Sequence, residues 1–141
     1  MVSTNNMHQQ ELDKLMKDTA QDAVTAAKEE CDIELDYSAS SISGVDKTIE
    51  HFITEFPGQS LEDKAVFTLC NMYGAYVGEV FKRLSGGQWH YDTSTPDAPT
   101  ILLVIKDKSY AFAGICYDKL VKNPDIKIAE YFQKALAANT N

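Results

Sequence analysis

The sequence predicts an α+β domain in which a small, mostly antiparallel sheet of about four strands packs against a long central helix and flanking helices. Three observations lead to this prediction. Apolar residues recur every three to four positions over residues 60–84, which is typical of a buried helix. Acidic and apolar residues alternate strictly over residues 30–37, which is typical of a half-buried strand. Residues 101–105 are all apolar, as in a central strand.

Two amphipathic helices flank the first of these strands. Residues 7–28 carry a thin, alanine-rich apolar stripe, whereas residues 38–56 carry larger apolar side chains. Ser38 is predicted to cap the second helix, and Pro57-Gly58 is predicted to end it. The strand between them, residues 31–37, would direct its apolar side chains to the core and its carboxylates to the solvent.

The third helix, residues 60–84, is predicted to be the centre of the domain. Ser60-x-x-Asp63 resembles a capping box at its start, and Gly86-Gly87 would end it. The main apolar stripe consists of Val66, Leu69, Cys70, Tyr73, Val77, Val80, Phe81 and Leu84. A second strip consists of Phe67, Gly74 and Gly78, and the opposite side of Lys64, Thr68, Asn71, Ala75 and Lys82. Because more than half of its circumference is apolar, this helix needs several neighbours.

The C-terminal half is predicted to hold the remaining strands and two helices. The strands are expected at 88–92, 101–105 and 109–112, and the last two form a hairpin. A short helix is expected after Gly114, and Asn123-Pro124 is typical of the start of a final helix. Since the middle strand is apolar on both faces, either the N-terminal helix or a second subunit would cover the outer face of the sheet. A homodimer therefore stays an open alternative.

Length and composition indicate one domain. The 141 residues can bury enough surface to fold without a disulfide or a metal. We expect residues 1–6 to be flexible and residues 7–141 to form the domain. The segment Met1–Gln10 is too polar for a signal peptide, and no apolar run approaches the roughly 18 residues of a membrane span. Together with three widely spaced cysteines, this predicts a cytoplasmic protein.

The charge of the chain is strongly negative and unevenly distributed. The formal net charge is −8, and residues 11–37 carry nine acids against three lysines. Such a surface repels phosphate backbones and anionic lipids. We therefore expect neither a nucleic acid nor a membrane as a partner.

The sequence contains no recognisable catalytic, metal-ligand or cofactor-binding motif, and we name no catalytic residue. Its histidines, His8, His51 and His90, have no metal-site spacing relative to one another or to a cysteine. Walker, Rossmann, zincin, Gly-x-Ser-x-Gly and EF-hand patterns do not occur. We therefore expect neither a metal nor a cofactor. The sequence favours a non-enzymatic protein over an enzyme without deciding between them.

Three stretches resemble a family of small uncharacterised bacterial α+β proteins, a domain of unknown function. They are Leu35-Asp36-Tyr37-Ser38 leading into Val45-Asp46, then Tyr73-Gly74-Ala75-Tyr76-Val77-Gly78-Glu79-Val80, then Gly86-Gly87-Gln88-Trp89. In that family a Gly-x-Tyr-x-Gly-Glu helix ends in Gly-Gly-x-Trp and precedes a short antiparallel sheet and terminal helices. The likeness covers about residues 33–136 and implies an architecture, with no assigned activity. The chain departs from the family at Ala113-Gly114, where a proline is usual.

A first candidate site is a small-molecule pocket around Tyr76, Glu79, Trp89 and His90. Glu79 is expected at the edge of the buried arc of the third helix, where a carboxylate can act as a general acid or base. The commoner explanation is structural, namely an ion pair with Arg83, or a hydrogen bond to the Trp89 indole or to a turn amide. Gly74 and Gly78 of the same helix are also interpreted in two ways. Because they lack side chains, either another element packs closely against the helix backbone or a ligand binds there.

A second candidate site is the acidic row formed by Glu30, Asp32, Glu34 and Asp36. It is interpreted in three ways: as a solvated outer face that discourages aggregation, as a docking surface for a basic partner, and as a cation site. Our leading hypothesis is a non-enzymatic protein-binding module that docks a basic protein through this row. An immunity-type, toxin-neutralising role is its most concrete form. The alternative is a small-molecule-binding protein or enzyme that uses the first site.

Overall fold

The computed structural model describes residues 8–57, 61–94 and 100–139 of the chain. Within them the protein has an α+β fold of five α-helices and a three-stranded antiparallel sheet. The helices are α1 (Gln9–Cys31), α2 (Ile42–Glu55), α3 (Asp63–Ser85), α4 (Phe112–Tyr117) and α5 (Ile128–Ala138). The strands are β1 (Gln88–Asp92), β2 (Thr100–Ile105) and β3 (Lys108–Tyr110). A 3₁₀ turn (Ala39–Ser41) precedes α2, and a π-helical turn (Asp118–Lys122) continues α4.

Several element bounds differ from those that the sequence predicts. α1 extends to Cys31. Ser38 occupies the N-cap position of the 3₁₀ turn and Ser41 that of α2, and neither side chain makes a capping hydrogen bond. Phe112, predicted at the end of the last strand, begins α4, which also contains Gly114. Residues 1–6, predicted to be flexible, and Ser60 of the predicted capping box lie outside the described residues.

α3 is covered from several sides over its middle and is open near both ends. α1 and α4 make its most extensive contacts, and every residue from Tyr73 to Phe81 is buried. Ala75, predicted on the open side, is therefore buried. Phe67 and Leu84, predicted to face inward, are 60% and 53% exposed. These predictions are wrong because helical spacing identifies which positions are apolar. It does not show which part of the helix the neighbouring elements cover.

The sheet has the strand order β1-β2-β3 and presents one face to the core. Trp89 pairs with Leu103, and Leu103 pairs with Tyr110 on the other side. Directly opposite residues share a face, so these three side chains form a row across the sheet. His90 pairs with Leu102 on the opposite face and is exposed.

The strand that the alternating pattern predicts at residues 31–37 is not formed, and that prediction is wrong. Cys31 ends α1, and the chain continues as an extended segment between two residues with positive φ, Asp32 at 54° and Tyr37 at 66°. The pattern nevertheless matches burial, because Leu35 is buried while the acidic side chains are exposed. A Cβ atom built on Gly44 would lie 3.1 Å from side-chain atoms of Ile33 and Leu35. The segment therefore packs on α2 instead of joining a ladder.

The last helix starts later than its sequence signals predict. α5 begins at Ile128, and the Asn123 side chain instead accepts a hydrogen bond from the backbone N–H of Asp125. The cap comes from α2: the buried Asp46 carboxylate accepts the N–H groups of Ile128 at 2.7 Å and Ala129 at 2.9 Å. A carboxylate at the start of a helix accepts hydrogen bonds from backbone N–H groups that would otherwise be unpaired. Its negative charge is also attracted to the positive end of the helix dipole. The predicted cap at Asn123 is therefore wrong.

A fully buried lysine fixes the π-helical turn to α2. The Lys119 ammonium donates hydrogen bonds to Glu50 at 2.9 Å and to the carbonyls of Pro124 at 2.9 Å and Ile126 at 2.6 Å, and it lies 3.7 Å from Asp46. A buried ammonium needs such partners, because an unpaired one would be very costly. Lys119 therefore positions the turn and the chain that leads into α5.

Candidate functional site

The acidic row does not form one face, and most of its carboxylates are engaged locally. Lys28 on α1 pairs with Asp32 at 3.0 Å and with Glu34 at 3.1 Å, and these hydrogen bonds raise the pKa of Lys28. Asp36 accepts hydrogen bonds from the Ser38 hydroxyl at 2.6 Å and from its backbone N–H at 3.1 Å, which lowers the pKa of Asp36.

The remaining member of the row, Glu30, lies on the last turn of α1 and makes no ion pair within the described part of the chain. Among residues 8–57, 61–94 and 100–139, no three or more His, Cys, Asp or Glu side chains are grouped to hold a metal ion. The row thus offers a broadly negative surface with few free carboxylates.

Glu79 and Trp89 of the predicted pocket are in direct contact. Glu79 is only 4% exposed, and its Oε2 accepts a hydrogen bond of 2.7 Å from the Trp89 indole N–H. Arg83 makes no ion pair with Glu79; its guanidinium instead lies 3.9 Å from the centre of the Tyr37 ring. Of the three structural explanations for Glu79, the hydrogen bond to the Trp89 indole is confirmed.

Both glycines of α3 lie where another element comes close. A Cβ atom on Gly78 would overlap the Trp89 ring, and one on Gly74 would clash with the backbone of Ala113 at the start of α4. The packing explanation for these glycines is confirmed. Because the indole fills the space beside Gly78, the contacts around Glu79 favour a structural role for that carboxylate.

Tyr76 and His90 do not join the Glu79–Trp89 pair. The Tyr76 hydroxyl accepts the backbone N–H of Tyr37 at 2.7 Å and shares a hydrogen bond of 2.6 Å with the Ser41 hydroxyl. Burial raises the pKa of Tyr76. Tyr76 thus holds the positive-φ backbone of Tyr37, while exposed His90 points away from the core. The interpretation of these residues as a ligand pocket stays a prediction.

The cysteines lack the features of reactive thiols. Burial raises the pKa of Cys70 to about 12 and raises that of Cys116 well above its usual value. The nucleophilic form of a cysteine is the thiolate, which is scarce at neutral pH when the pKa is high. These two side chains therefore serve as small buried hydrophobes.

An open groove with several large apolar side chains in its walls lies near the start of α3, and the sequence does not predict it. Its volume is about 870 Å³, and its apolar walls include Ile53, Phe56, Val66, Phe67, Leu120 and Val121. Three of these side chains are exposed: Phe67 by 60%, Val121 by 50% and Phe56 by 40%. The walls come from the end of α2, the start of α3 and the turn after α4.

The aromatic side chains of this groove are held by stacking. Phe67 stacks on Tyr117 with ring centres 6.2 Å apart and planes 13° apart. Phe56 stacks on Phe52, with ring centres 6.5 Å apart. The rim also carries Glu62 and Asp63, which are exposed and make no ion pair within the described residues. The groove thus combines apolar side chains with nearly as much polar surface, and its edge is negative.

No protein-family model, curated protein or solved structure matches the chain. The resemblance to a family of small uncharacterised bacterial proteins depends on the quoted motifs alone and stays a prediction. Within the described residues, none of the helices is both long enough and apolar enough to cross a bilayer.

Proposed function

We propose that the protein is a non-enzymatic binding module that docks a protein partner in the groove between α2, α3 and the π-helical turn. One observation carries the proposal. Large apolar side chains are exposed at five positions of the described chain, and three of them, Phe56, Phe67 and Val121, line this groove. Scattered exposed apolar residues need no explanation, whereas a cluster in a concave surface is typical of an interaction site.

The openness of the groove favours a protein partner over a small molecule. Pockets for small molecules enclose most of the ligand surface. Here the Phe67 side chain is more than half exposed, so a small ligand beside it would remain largely in water. A protein segment that covers the groove would bury the whole cluster, and interfaces are enriched in such aromatic side chains.

The negative charge supports a basic partner, in agreement with the hypothesis from the sequence. Residues 11–37 and the rim of the groove are acidic, and the chain as a whole carries −8. Such charge accelerates association with a positive surface. Because Asp32, Glu34 and Asp36 are engaged locally, we assign the acidic row to steering and the groove to contact. Neutralisation of a basic toxin in the cytoplasm is the most concrete form of this role.

Site-specific photo-crosslinking in cells that naturally express the protein tests the proposal. A photoreactive phenylalanine analogue at Phe67 is expected to give a discrete crosslinked protein that mass spectrometry can identify. The matched control carries the same analogue at Leu84, which has a similar exposure of 53% and lies at the opposite end of α3.

Two results would speak against the proposal. Crosslinks of equal yield and pattern from positions 67 and 84 would indicate non-specific contact. Reaction at position 67 with water alone, under conditions in which the protein is folded, would indicate that the groove has no protein partner in those cells.

A further inference from the structure

We infer that the segment docked in the groove is an amphipathic α-helix whose apolar stripe enters the groove and whose lysine or arginine side chains face the rim at Glu62 and Asp63. This inference rests on the proposed function and specifies the chemistry of the partner. It follows from the shape of the walls, the charge of the rim and the arrangement of the aromatic side chains.

The walls of the groove suit a helix better than a strand. Three of the walls are helical: the end of α2, the first turns of α3, and α4 with the π-helical turn. The remaining lining residues, Phe56, Pro57, Leu61 and Glu62, belong to the connection between α2 and α3. An extended peptide usually binds by adding to a free sheet edge, and none of the three strands lines this groove. Side chains on helices form ridges and grooves into which the ridges of another helix can pack. The helical walls therefore provide packing for a helix, and no edge of the described sheet is available there for a strand.

The rim of the groove selects for positive charge. Glu62 and Asp63 precede and begin α3, and no lysine or arginine lines the groove beside them. In the adjoining π-helical turn, Lys122 is paired with Asp118 at 3.6 Å and Lys119 is buried. Lys64 follows Asp63 on α3 but is not part of the groove lining. A second copy of the chain would bring the same two carboxylates and the same net charge of −8 to the interface. Like charges in contact oppose association, so the groove favours a basic partner over a self-complementary dimer.

The groove is preformed at its most exposed side chain. The Phe67 ring stacks on Tyr117. The adjoining π-helical turn is fixed by the hydrogen bonds of Lys119 to Glu50 and to the carbonyl of Ile126. Rigid aromatic side chains lose little entropy when a partner binds and commonly contribute most of the binding energy. We therefore assign Phe67 as the principal contact for the apolar stripe of the partner.

Binding of a designed helix to the purified full chain tests the inference. The probe is a fluorescently labelled leucine–lysine peptide of about 18 residues, long enough to form a helix on a surface, with leucine at helical spacing. Fluorescence anisotropy at low salt is expected to give saturable binding. Phe67→Ser is expected to weaken it about thirtyfold, and Glu62→Lys with Asp63→Lys about tenfold. Because charge contributes, affinity should fall as salt is raised.

Two matched variants separate the groove from general attraction between a basic peptide and an acidic protein. Leu84→Ser removes an exposed apolar side chain elsewhere. Asp107→Lys with Glu130→Lys reverses two exposed acids that belong neither to the groove nor to the acidic row. Both are expected to retain the affinity within about threefold, since any effect outside the groove is long-range and screened. Equal losses from groove and control variants would overturn the inference. Val121→Ser provides a second groove variant if Phe67→Ser fails to fold.

Other peptides distinguish the alternative occupants. A leucine–glutamate helix that binds as tightly as the leucine–lysine helix would overturn the assigned charge, and a proline-interrupted leucine–lysine peptide that binds equally well would overturn the helical form. Sedimentation that shows a dimer which Phe67→Ser dissociates would assign the groove to a second copy. A partner crosslinked at Phe67 that contains no basic amphipathic helix would reject this inference and leave the proposed function standing.

Discussion

Two regions of α3 lie in different surroundings, although both are rich in aromatic side chains. The filled end is defined as residues 73–81 and excludes the exposed last turn at Leu84, and the open end is the start of the helix. In its C-terminal half, residues 73–81 are buried, Trp89 fills the space beside Gly78, and Glu79 is paired with the indole. At its start, Phe67 is exposed, and the nearby carboxylates of Glu62 and Asp63 make no ion pair with the part of the chain that the structure describes. The most unusual residues of the sequence therefore belong to the filled end, whereas the surface suited to binding is built from ordinary apolar residues.

This difference shows that an unusual residue is a poor guide to function when its neighbours are unknown. A buried carboxylate and two glycines in a helix require an explanation, and at the filled end packing supplies it. A cluster of exposed apolar side chains requires an explanation too, and at the open end nothing within the described chain covers the cluster around Phe67. Substitutions at the two ends should therefore differ: those at the filled end should change stability, and those at the open end should change binding.

The largest effect on stability is expected from Gly78→Ala. The new methyl group would overlap the Trp89 ring, which cannot move freely because its N–H is bound to Glu79. We expect the free energy of unfolding to fall by about 3 kcal/mol, despite the better helix propensity of alanine. Urea unfolding measures this. Gly114→Ala is the matched control, since its Cβ would make ordinary contact at 3.4 Å. Similar stabilities for the two variants would show that the filled end is loosely packed.

A smaller loss is expected from Glu79→Leu. It leaves the buried Trp89 N–H without an acceptor, which should cost about 2 kcal/mol. Glu79→Gln keeps an acceptor oxygen and should cost less. The alternative predicts that Trp89 fluorescence of the wild-type protein responds to some metabolite and that the Glu79→Gln variant is stable but has lost this response. That result would support the small-molecule pocket and contradict a purely structural role for the filled end.

Two tyrosines of α3 should respond oppositely to loss of the hydroxyl. Tyr76→Phe removes the acceptor of the Tyr37 N–H and the bond to Ser41, so we expect a loss of about 1–2 kcal/mol. The Tyr73 hydroxyl is buried and has no hydrogen-bond partner within the described residues. Tyr73→Phe should therefore be neutral or stabilising by up to about 1 kcal/mol. Thermal unfolding of both variants checks the sign. A clear loss of stability in Tyr73→Phe would reveal a partner for that hydroxyl.

The smallest effect is expected in the pH dependence of stability. The hydrogen bond from Lys119 lowers the pKa of Glu50 below its unfolded value. The stability that this carboxylate contributes is therefore fully present above the unfolded pKa of about 4.3 and is lost as the pH falls through the lower folded value. Glu50→Gln should flatten the acid limb of the stability profile, measured by urea unfolding. Exposed Glu55→Gln is the control, and identical profiles for the two variants would contradict the role of Lys119.

The sequence predicts the filled end of α3 well because the residues that pack there, the two glycines and Trp89, form recognisable patterns close together in the chain. Glycines four residues apart and a nearby Gly-Gly-x-Trp indicate that another element packs closely against α3. The sequence also suggests the Trp89 indole as one hydrogen-bond partner of Glu79, and the structure contains this bond. The alternation in residues 30–37 correctly predicts that Leu35 is buried and that the acidic side chains are exposed, but it does not predict the secondary structure. A segment can bury one side against a helix without pairing its backbone with another strand. Asp46 caps α5 from a distant helix, and no local pattern records such a contact.

The open end could not be predicted for a related reason. Phe67 and Leu84 fit the apolar periodicity of α3, and only the positions of α2 and the π-helical turn determine that Phe67 borders a groove. The acidity of Glu62-Asp63 is visible in the sequence, but its meaning depends on the apolar cluster next to it.

A nuclear magnetic resonance titration of the full chain with the leucine–lysine helix tests the difference between the two ends most directly. The chain has one tryptophan, so a single indole N–H signal reports on the filled end, while the amide signals of Phe67 and Val121 report on the groove. We expect the groove amides to shift with saturation and the indole signal to stay in place. Movement of the indole signal with unchanged groove amides would contradict the account.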